Sequence, residues 1–101
     1  MILHRCRDCS VPPWTEAHGV EDYMVKPEVW AAAGMPAHDP RKGEGASGFL
    51  CVGCIEQRLG RTLRAVDFIE APINVVGGKS WHGPRLRRRL LAKRSRKLAA
   101  A

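Results

Sequence analysis

The stretch GFLCVGCIEQRLG, residues 48–60, contains the second of two identical Cys-x-x-Cys pairs in this chain. Cys51 and Cys54 follow an extended apolar approach and lead directly into a hexamer of good helix formers. Apolar side chains recur at Ile55 and Leu59, four residues apart, and Gly60 is the residue type that commonly ends a helix. The stretch therefore predicts a helix that is opened by a cysteine pair.

The other cysteine pair lies 41 residues earlier, and the chain has no further cysteine. Two Cys-x-x-Cys turns bring four thiolates around one ion, the closed tetrahedral arrangement of structural zinc. Disulfides fit poorly with a chain expected in the cytoplasm, and a thioredoxin-like redox pair needs a larger βαβ frame. An iron or iron–sulfur centre is the remaining alternative. We predict one structural Zn²⁺, bound by Cys6, Cys9, Cys51 and Cys54.

The placement of the two pairs predicts a small α+β, zinc-stabilised domain of the treble-clef type. The first pair lies in a short polar stretch typical of a knuckle, and the second opens a helix, whose N-terminus favours thiolate charge. A zinc ribbon, with both pairs on hairpin turns, is the alternative. We assign residues 1–78 to the zinc domain, with a helical and loop insertion at 26–48, and residues 79–101 to a basic C-terminal tail.

Inside the zinc domain, residues 20–25 predict a strand and residues 26–34 a short helix, with Pro27 in its first turn and Gly34 closing it. Residues 35–47 are rich in proline and glycine and predict the tip of the insertion. After the cysteine helix, we expect a helical turn over 63–69 that packs Leu63, Val66 and Phe68 on the core. An extended segment follows at 71–78.

Length and composition limit the function classes. A chain of 101 residues and 11.2 kDa forms one small domain, which excludes a multidomain enzyme. No apolar run approaches the roughly 18–20 residues of a membrane span, and the first residues lack the apolar stretch of a secretory signal. We therefore expect a cytoplasmic protein, in a bacterium or an infected host cell, with no membrane partner and no small-molecule substrate.

Positive charge is concentrated at the C-terminus. Residues 1–84 contain nine lysines and arginines against ten acids, whereas residues 85–101 contain eight basic residues and no acid. The formal net charge of +7 therefore comes from the last seventeen residues. Four thiolates on Zn²⁺ add two negative charges to residues 1–84, giving this part of the chain a net charge of about −3. Acidic domain and basic tail together favour a polyanionic partner for the tail.

Dense like charge opposes helix formation, so we expect the isolated tail to be a mobile coil. Neutralisation by phosphates would permit a helix with Leu86, Leu90 and Leu98 in one stripe. Arginine predominates there, six to two over lysine, which suits phosphate binding. An acidic protein surface, or a solvated or membrane-surface tail, is the alternative interpretation. The predicted nucleic-acid-binding residues are Arg85, Arg87, Arg88, Arg89, Lys93, Arg94, Arg96 and Lys97.

A second set of residues is a weaker candidate for the same role. Trp81 would stack on a base or anchor the tail. Arg58, Arg61 and Arg64 lie three apart and would share one side if the helix ran through Gly60. Ordinary solvated arginines explain the same pattern.

The chain offers little for catalysis. Its four histidines, His4, His18, His38 and His82, are scattered and match no HNH nuclease pattern. Four sulfur ligands leave zinc no open position for water. We expect no enzyme, with an HNH-like nuclease as a second alternative.

This chain resembles a group of small four-cysteine proteins of actinobacterial bacteriophages and prophages. The residues that carry the resemblance are Tyr23-Met24-Val25 with Val29-Trp30, the segment from Gly48 to Glu56 with Arg58-Leu59-Gly60-Arg61, Asp67-Phe68 and the run 71–74. The resemblance covers roughly residues 6–74, is most specific from Cys51 to Asn74, and excludes the tail. It implies a phage origin and a zinc-stabilised fold, and no particular activity.

These observations predict a zinc-stabilised protein that binds DNA or RNA, ribosomal RNA and nucleoprotein complexes included, chiefly through its basic tail. The alternative is a phage-encoded interaction module that docks on a host macromolecular machine through the insertion.

Overall fold

A computed structural model describes residues 5–36, 48–76 and 82–97. It is a small α+β fold with a two-stranded antiparallel sheet and three helices within those ranges. The elements are β1 (Trp14–Thr15), β2 (Gly19–Val20), α1 (Pro27–Ala32), α2 (Val52–Leu59) and α3 (Pro84–Leu91). Two 3₁₀ turns, Ala65–Asp67 and Pro72–Asn74, connect α2 to the segment before α3.

Local sequence accounts for α1 and α2. Pro27 starts α1, and Gly34 follows it with a φ of 77°, in the left-handed region that glycine tolerates best. α2 ends at Leu59, and Gly60 takes the left-handed conformation with its N–H donating to the carbonyl of Glu56. Both predicted helices are confirmed.

The predicted strand over 20–25 is wrong for most of its length. Only Gly19 and Val20 pair with β1, in register with Thr15 and Trp14. Beyond them Glu21 is buried, and Val25 makes one isolated bridge to Phe68. To extend β2, another strand would have to pair with residues 21–25. Instead, the side chain of Glu21 is buried.

The core contains side chains from every helix. Val29 and Ala33 come from α1 and its end, and Val52 and Ile55 from α2; the fully buried Leu50 and Leu63 flank α2. The 63–69 turn is confirmed as a 3₁₀ turn, with Leu63 and Phe68 buried as predicted. Val66 is 53% exposed, so its predicted core position is wrong.

Buried Met35 also belongs to the core, although the sequence places it at the start of the loop. The rest of the predicted insertion tip, residues 37–47, lies outside the described residues. The predicted extended segment contains the 3₁₀ turn Pro72–Asn74. Asn74 fixes that turn, because its amide nitrogen donates to the carbonyls of Met24 and Ile69.

In the folded protein the basic segment begins as a helix over Pro84–Leu91, whereas a coil is expected for the isolated tail. α3 is a two-turn helix whose leucines Leu86 and Leu90 are 0% and 8% exposed in the common core. The four-residue spacing of these leucines gives α3 an apolar stripe. Burial of that stripe offsets the destabilising repulsion among the basic side chains of the helix. The proposed division of the chain near residues 78 and 79 falls in residues 77–81, outside the described ranges, and stays a prediction.

Gly83, the N-cap residue of α3, packs against the β1–β2 hairpin. Its N–H donates to the carbonyl oxygen of Val20 over 2.8 Å, and a Cβ at this position would lie 1.8 Å from the carbonyl oxygen of His18. Backbone is pressed on backbone here, so no side chain can move aside to relieve a clash.

We predict that Gly83→Ala destabilises the protein by about 3 kcal/mol or more, because the added methyl must displace the hairpin from α3. Gly60→Ala is the matched control: its Cβ meets nothing within 4 Å, and it costs only the left-handed strain of about 1–2 kcal/mol. Urea unfolding of both variants measures the difference. Equal losses would show that the hairpin yields at no cost.

Candidate metal centre

The first cysteine pair lies in a tight turn at the edge of the core. The N–H of Ser10 donates to the carbonyl of Cys6 over 2.8 Å, and Ser10 has a φ of 67°. The N–H of Arg7 donates to the carbonyl of Phe49, also over 2.8 Å. That bond sets the first pair beside the residues that lead into the second.

The second cysteine pair opens α2, as the sequence predicts. Cys51 is the N-cap residue, and its carbonyl accepts the N–H of Ile55 over 3.0 Å. Cys54 lies in the first turn of the helix. Both sulfurs are therefore near the positive end of the helix dipole, which favours thiolates.

The four sulfur atoms, of Cys6, Cys9, Cys51 and Cys54, lie within 4.8 Å of one another, and Cys9 Sγ is 3.7 Å from Cys51 Sγ. A tetrahedron with zinc–sulfur bonds of about 2.3 Å has edges of about 3.8 Å, so the cluster fits one zinc ion. Four thiolates are also the donor set of a closed structural site. The predicted cofactor, one structural Zn²⁺, is consistent with this geometry.

The thiols differ in how readily they ionise. Burial acts to raise the pKa of Cys6, but backbone hydrogen bonds from Cys51, Cys9 and Asp8 outweigh it and lower the pKa from 9.0 to about 7. Burial raises the pKa of Cys51 to about 11 and raises that of Cys54 further above its ordinary value. Cys6 therefore ionises more readily than Cys51 and Cys54, and the positive charge of zinc favours ionisation of all its thiol ligands.

Arg58 connects the two cysteine pairs. Its guanidinium donates to both carboxylate oxygens of Asp8, at 2.8 and 2.6 Å, and to the carbonyl of Ala33 at 2.9 Å. The hydrogen bonds from Arg58 hold the pKa of Asp8 below its ordinary value. Asp8 lies inside the first Cys-x-x-Cys turn, so this arginine ties that turn to α2 and to the end of α1.

The three arginines of the weaker candidate set do not form one open patch. Arg61 donates to both oxygens of buried Asp67, at 2.7 and 3.1 Å, and to Ser95 Oγ. Arg64 is half-exposed and lies 4.0 Å from Asp67. Burial acts to raise the pKa of Asp67, but the bonds from Arg61 and the Arg64 N–H outweigh it and lower the pKa. Trp81, the fourth member, lies outside the described residues.

The eight basic residues of the C-terminal segment fall into two groups. Arg85 and Arg89 are turned inward and form two-bond ion pairs with Glu21 and Glu56, both 4% exposed. The other six are exposed: Arg87, Arg88, Lys93, Arg94, Arg96 and Lys97. Whether they bind nucleic acid stays a prediction.

Sequence reasoning missed Glu21 and Glu56 as partners of this segment. The one local signal is that Arg85 and Arg89 are four residues apart, as Leu86 and Leu90 are. This spacing places the two arginines beside the apolar stripe. Nothing local identifies the acids opposite, which lie 64 and 33 positions away in the chain.

The two described histidines, His18 and His82, are not members of the sulfur cluster. The N–H of His18 donates to Thr15 Oγ1, and His82 Nε2 lies 2.6 Å from the carbonyl oxygen of Ile73. His4 and His38 lie outside the described residues. Across the described part of the chain, the four cysteines are the one group of three or more histidine, cysteine or acidic side chains placed to hold a metal.

Comparison with known proteins finds no matching family model, no similar curated protein and no similar solved structure. The resemblance to four-cysteine phage proteins therefore stays a prediction. Over residues 5–36, 48–76 and 82–97, no helix has the length and apolar character needed to cross a bilayer.

Proposed function

We propose that this chain is a treble-clef, structural-zinc protein of the cytoplasm that binds nucleic acid through the exposed basic side chains after Gly83. The treble clef is supported by a first cysteine pair in a knuckle turn and a second pair that opens α2. A zinc ribbon would need the second pair on a hairpin turn. Four thiolates also suit the reducing cytoplasm.

The observation that carries nucleic-acid binding is the segregation of charge. Six exposed lysines and arginines lie between residues 87 and 97, and no acid occurs from residue 85 to the C-terminus. Residues 1–84, with zinc and its thiolates included, have a net charge of about −3, which disfavours polyanion binding on that part of the chain. Among the described residues, this segment is therefore the favourable surface for a polyphosphate.

The basic segment, residues 85–97, is held against the core, which lowers the entropy cost of binding. The N–H of Ala65 donates to the carbonyl of Ala92 over 2.6 Å, and the N–H of Thr62 donates to that of Arg96 over 2.8 Å. Thr62 Oγ1 accepts the N–H of Arg96 in return. Residues 92–97 thus lie along residues 61–65, and their basic side chains are presented on a fixed backbone.

Phosphate contacts position a protein without reading bases, so we expect weak sequence preference. Arg94→Gln with Lys97→Gln should weaken binding to duplex DNA. It should also make the slope of log binding constant against log salt concentration shallower by about 1.8, at roughly 0.9 per phosphate contact. Arg5→Gln with Arg7→Gln changes net charge equally on exposed residues outside the segment and should leave the slope unchanged. Fluorescence anisotropy at several salt concentrations measures both.

Equal effects of the two double variants would contradict a localised site. Absence of binding to DNA and RNA by the wild-type chain at low salt would reject the proposal and favour a protein partner. Metal-dependent nicking of either nucleic acid would instead favour the nuclease.

A further inference from the structure

Two buried glutamates form ion pairs with two arginines of the basic segment, so these arginines are not presented to a ligand. Arg85 Nε and Nη2 each donate to the carboxylate of Glu21 over 2.6 Å, and Arg89 Nε donates to Glu56 over 2.6 Å. The arginine side chains are 18% and 22% exposed. We name the Arg85–Glu21 and Arg89–Glu56 pairs the two clamps.

Each clamp also includes backbone from the zinc domain. Glu21 accepts the N–H of Val52 over 3.1 Å, immediately after the ligand Cys51. Glu56 lies within α2, two residues after the ligand Cys54, and accepts the N–H of Leu63 over 2.7 Å. The carboxylates are thus oriented by the same helix that presents the zinc ligands.

α3 has little stability of its own. It is eight residues long, has no side-chain N-cap, and has Arg85 in its first turn, where the helix dipole disfavours positive charge. Isolated helices of this length do not persist in water. α3 therefore depends on its buried leucines and on the two clamps, and the clamp glutamates are tied to α2 through the Val52 N–H and through Glu56 itself.

We propose, resting on the proposed function, that Glu21 and Glu56 are positioning residues through which zinc limits the polyanion-binding surface. With zinc bound, the clamps withhold Arg85 and Arg89, and six basic side chains remain exposed. Without zinc, α2 no longer orients the carboxylates, α3 is released, and all eight are accessible. The zinc-free chain binds polyanions with more contacts and steeper salt dependence.

The test compares salt slopes for full-length protein on a short fluorescent duplex DNA. If the six exposed basic side chains of the segment each contact a phosphate, the zinc-loaded slope is about −5.4, and with all eight it steepens to about −7.2 after chelation. Amide hydrogen exchange supplies a second readout. The Arg87 N–H, bonded to the Gly83 carbonyl in the folded state, should lose protection when zinc is removed.

Variants test the clamps with zinc in place. Glu21→Gln with Glu56→Gln keeps oxygen acceptors for Val52 and Leu63 but frees both arginines, so the slope should steepen by about 1.8. Asp22→Asn with Glu28→Gln removes two exposed acids, matches the charge change, and should leave the slope unaltered. The proposal is overturned if both double variants steepen the slope, or if neither does.

A second variant keeps the test decisive if the first fails to fold. Changing all four clamp residues to glutamine preserves net charge, leaves no buried charge unpaired, and should retain the wild-type slope. A slope shallower by about 1.8 would show that Arg85 and Arg89 already contact phosphate and would overturn the proposal.

The measurements distinguish failure of the proposed function from failure of the clamp proposal. If the wild-type protein binds no nucleic acid, the function is rejected, while loss of Arg87 protection in the Glu21→Gln, Glu56→Gln variant still reports release of α3. If wild type binds but its slope and exchange are independent of zinc, only the clamp proposal is rejected.

Discussion

Removal of zinc with a strong chelator is expected to abolish the cooperative fold. Binding of structural zinc contributes on the order of 10 kcal/mol or more to folds of this kind. Here the ion joins a knuckle near the N-terminus to the start of α2, which contributes the fully buried Val52 and Ile55 to the core. Far-ultraviolet circular dichroism should show loss of helix on chelation, and restored zinc should restore it.

Single ligand variants should reproduce this effect. Cys6→Ser and Cys51→Ser are expected to be equally damaging, because each leaves an incomplete tetrahedron, and purified variants should hold less than one zinc per chain. Ala33→Ser, at a buried position outside the sulfur cluster, places a hydroxyl in the core and should keep its zinc. A cooperative thermal transition in the chelated wild-type chain would contradict the prediction.

Truncation at Pro84 is expected to remove most of the stability of the protein, with zinc present. Burial of a leucine contributes roughly 1.5–3 kcal/mol, and truncation removes Leu86 and Leu90 together. It also uncovers the core side chains beneath them and separates Glu21 and Glu56 from their arginines. A domain of this size has only about 5–15 kcal/mol in total, so the shortened chain should lack a sharp urea transition.

A full-length control distinguishes lost packing from lost charge. Changing Arg88, Lys93, Arg94 and Lys97 to glutamine removes exposed charge and leaves the clamps and leucines in place. This variant should unfold near the wild-type urea midpoint while losing affinity for DNA. If the chain that ends at Pro84 is as stable as the control, α3 is an appendage and the clamps have no structural role.

Some features follow from residues near one another in the sequence. The Cys-x-x-Cys pairs, the helix formers after Cys54 and the glycine at position 60 predict the metal centre and α2, and the structure places both accordingly. Here the deciding interactions are a turn, a cap and a ligand spacing, each contained in a few consecutive residues. Pro27 and Gly34 define α1 in the same way.

Other predictions failed because burial depends on distant segments. Val66 has the composition of a core position, yet its side chain lies on the outside of a 3₁₀ turn, since Leu63 and Phe68 already face the core. Residues 21–25 have strand-forming character but find no neighbouring edge beyond one bridge at Val25. In both cases the available partners decided the outcome, and local propensity did not.

The sequence by itself determined the four sulfur ligands, the helix that the second cysteine pair opens, and the excess of positive charge after residue 84. Only the tertiary structure decided that the first part of this charged segment, Pro84–Leu91, is a helix packed on the core, and that two of its basic side chains face inward. Like charges repel in an isolated segment, so local reasoning favours a coil. Burial of two leucines and ion pairs with glutamates 64 and 33 positions away offset that repulsion.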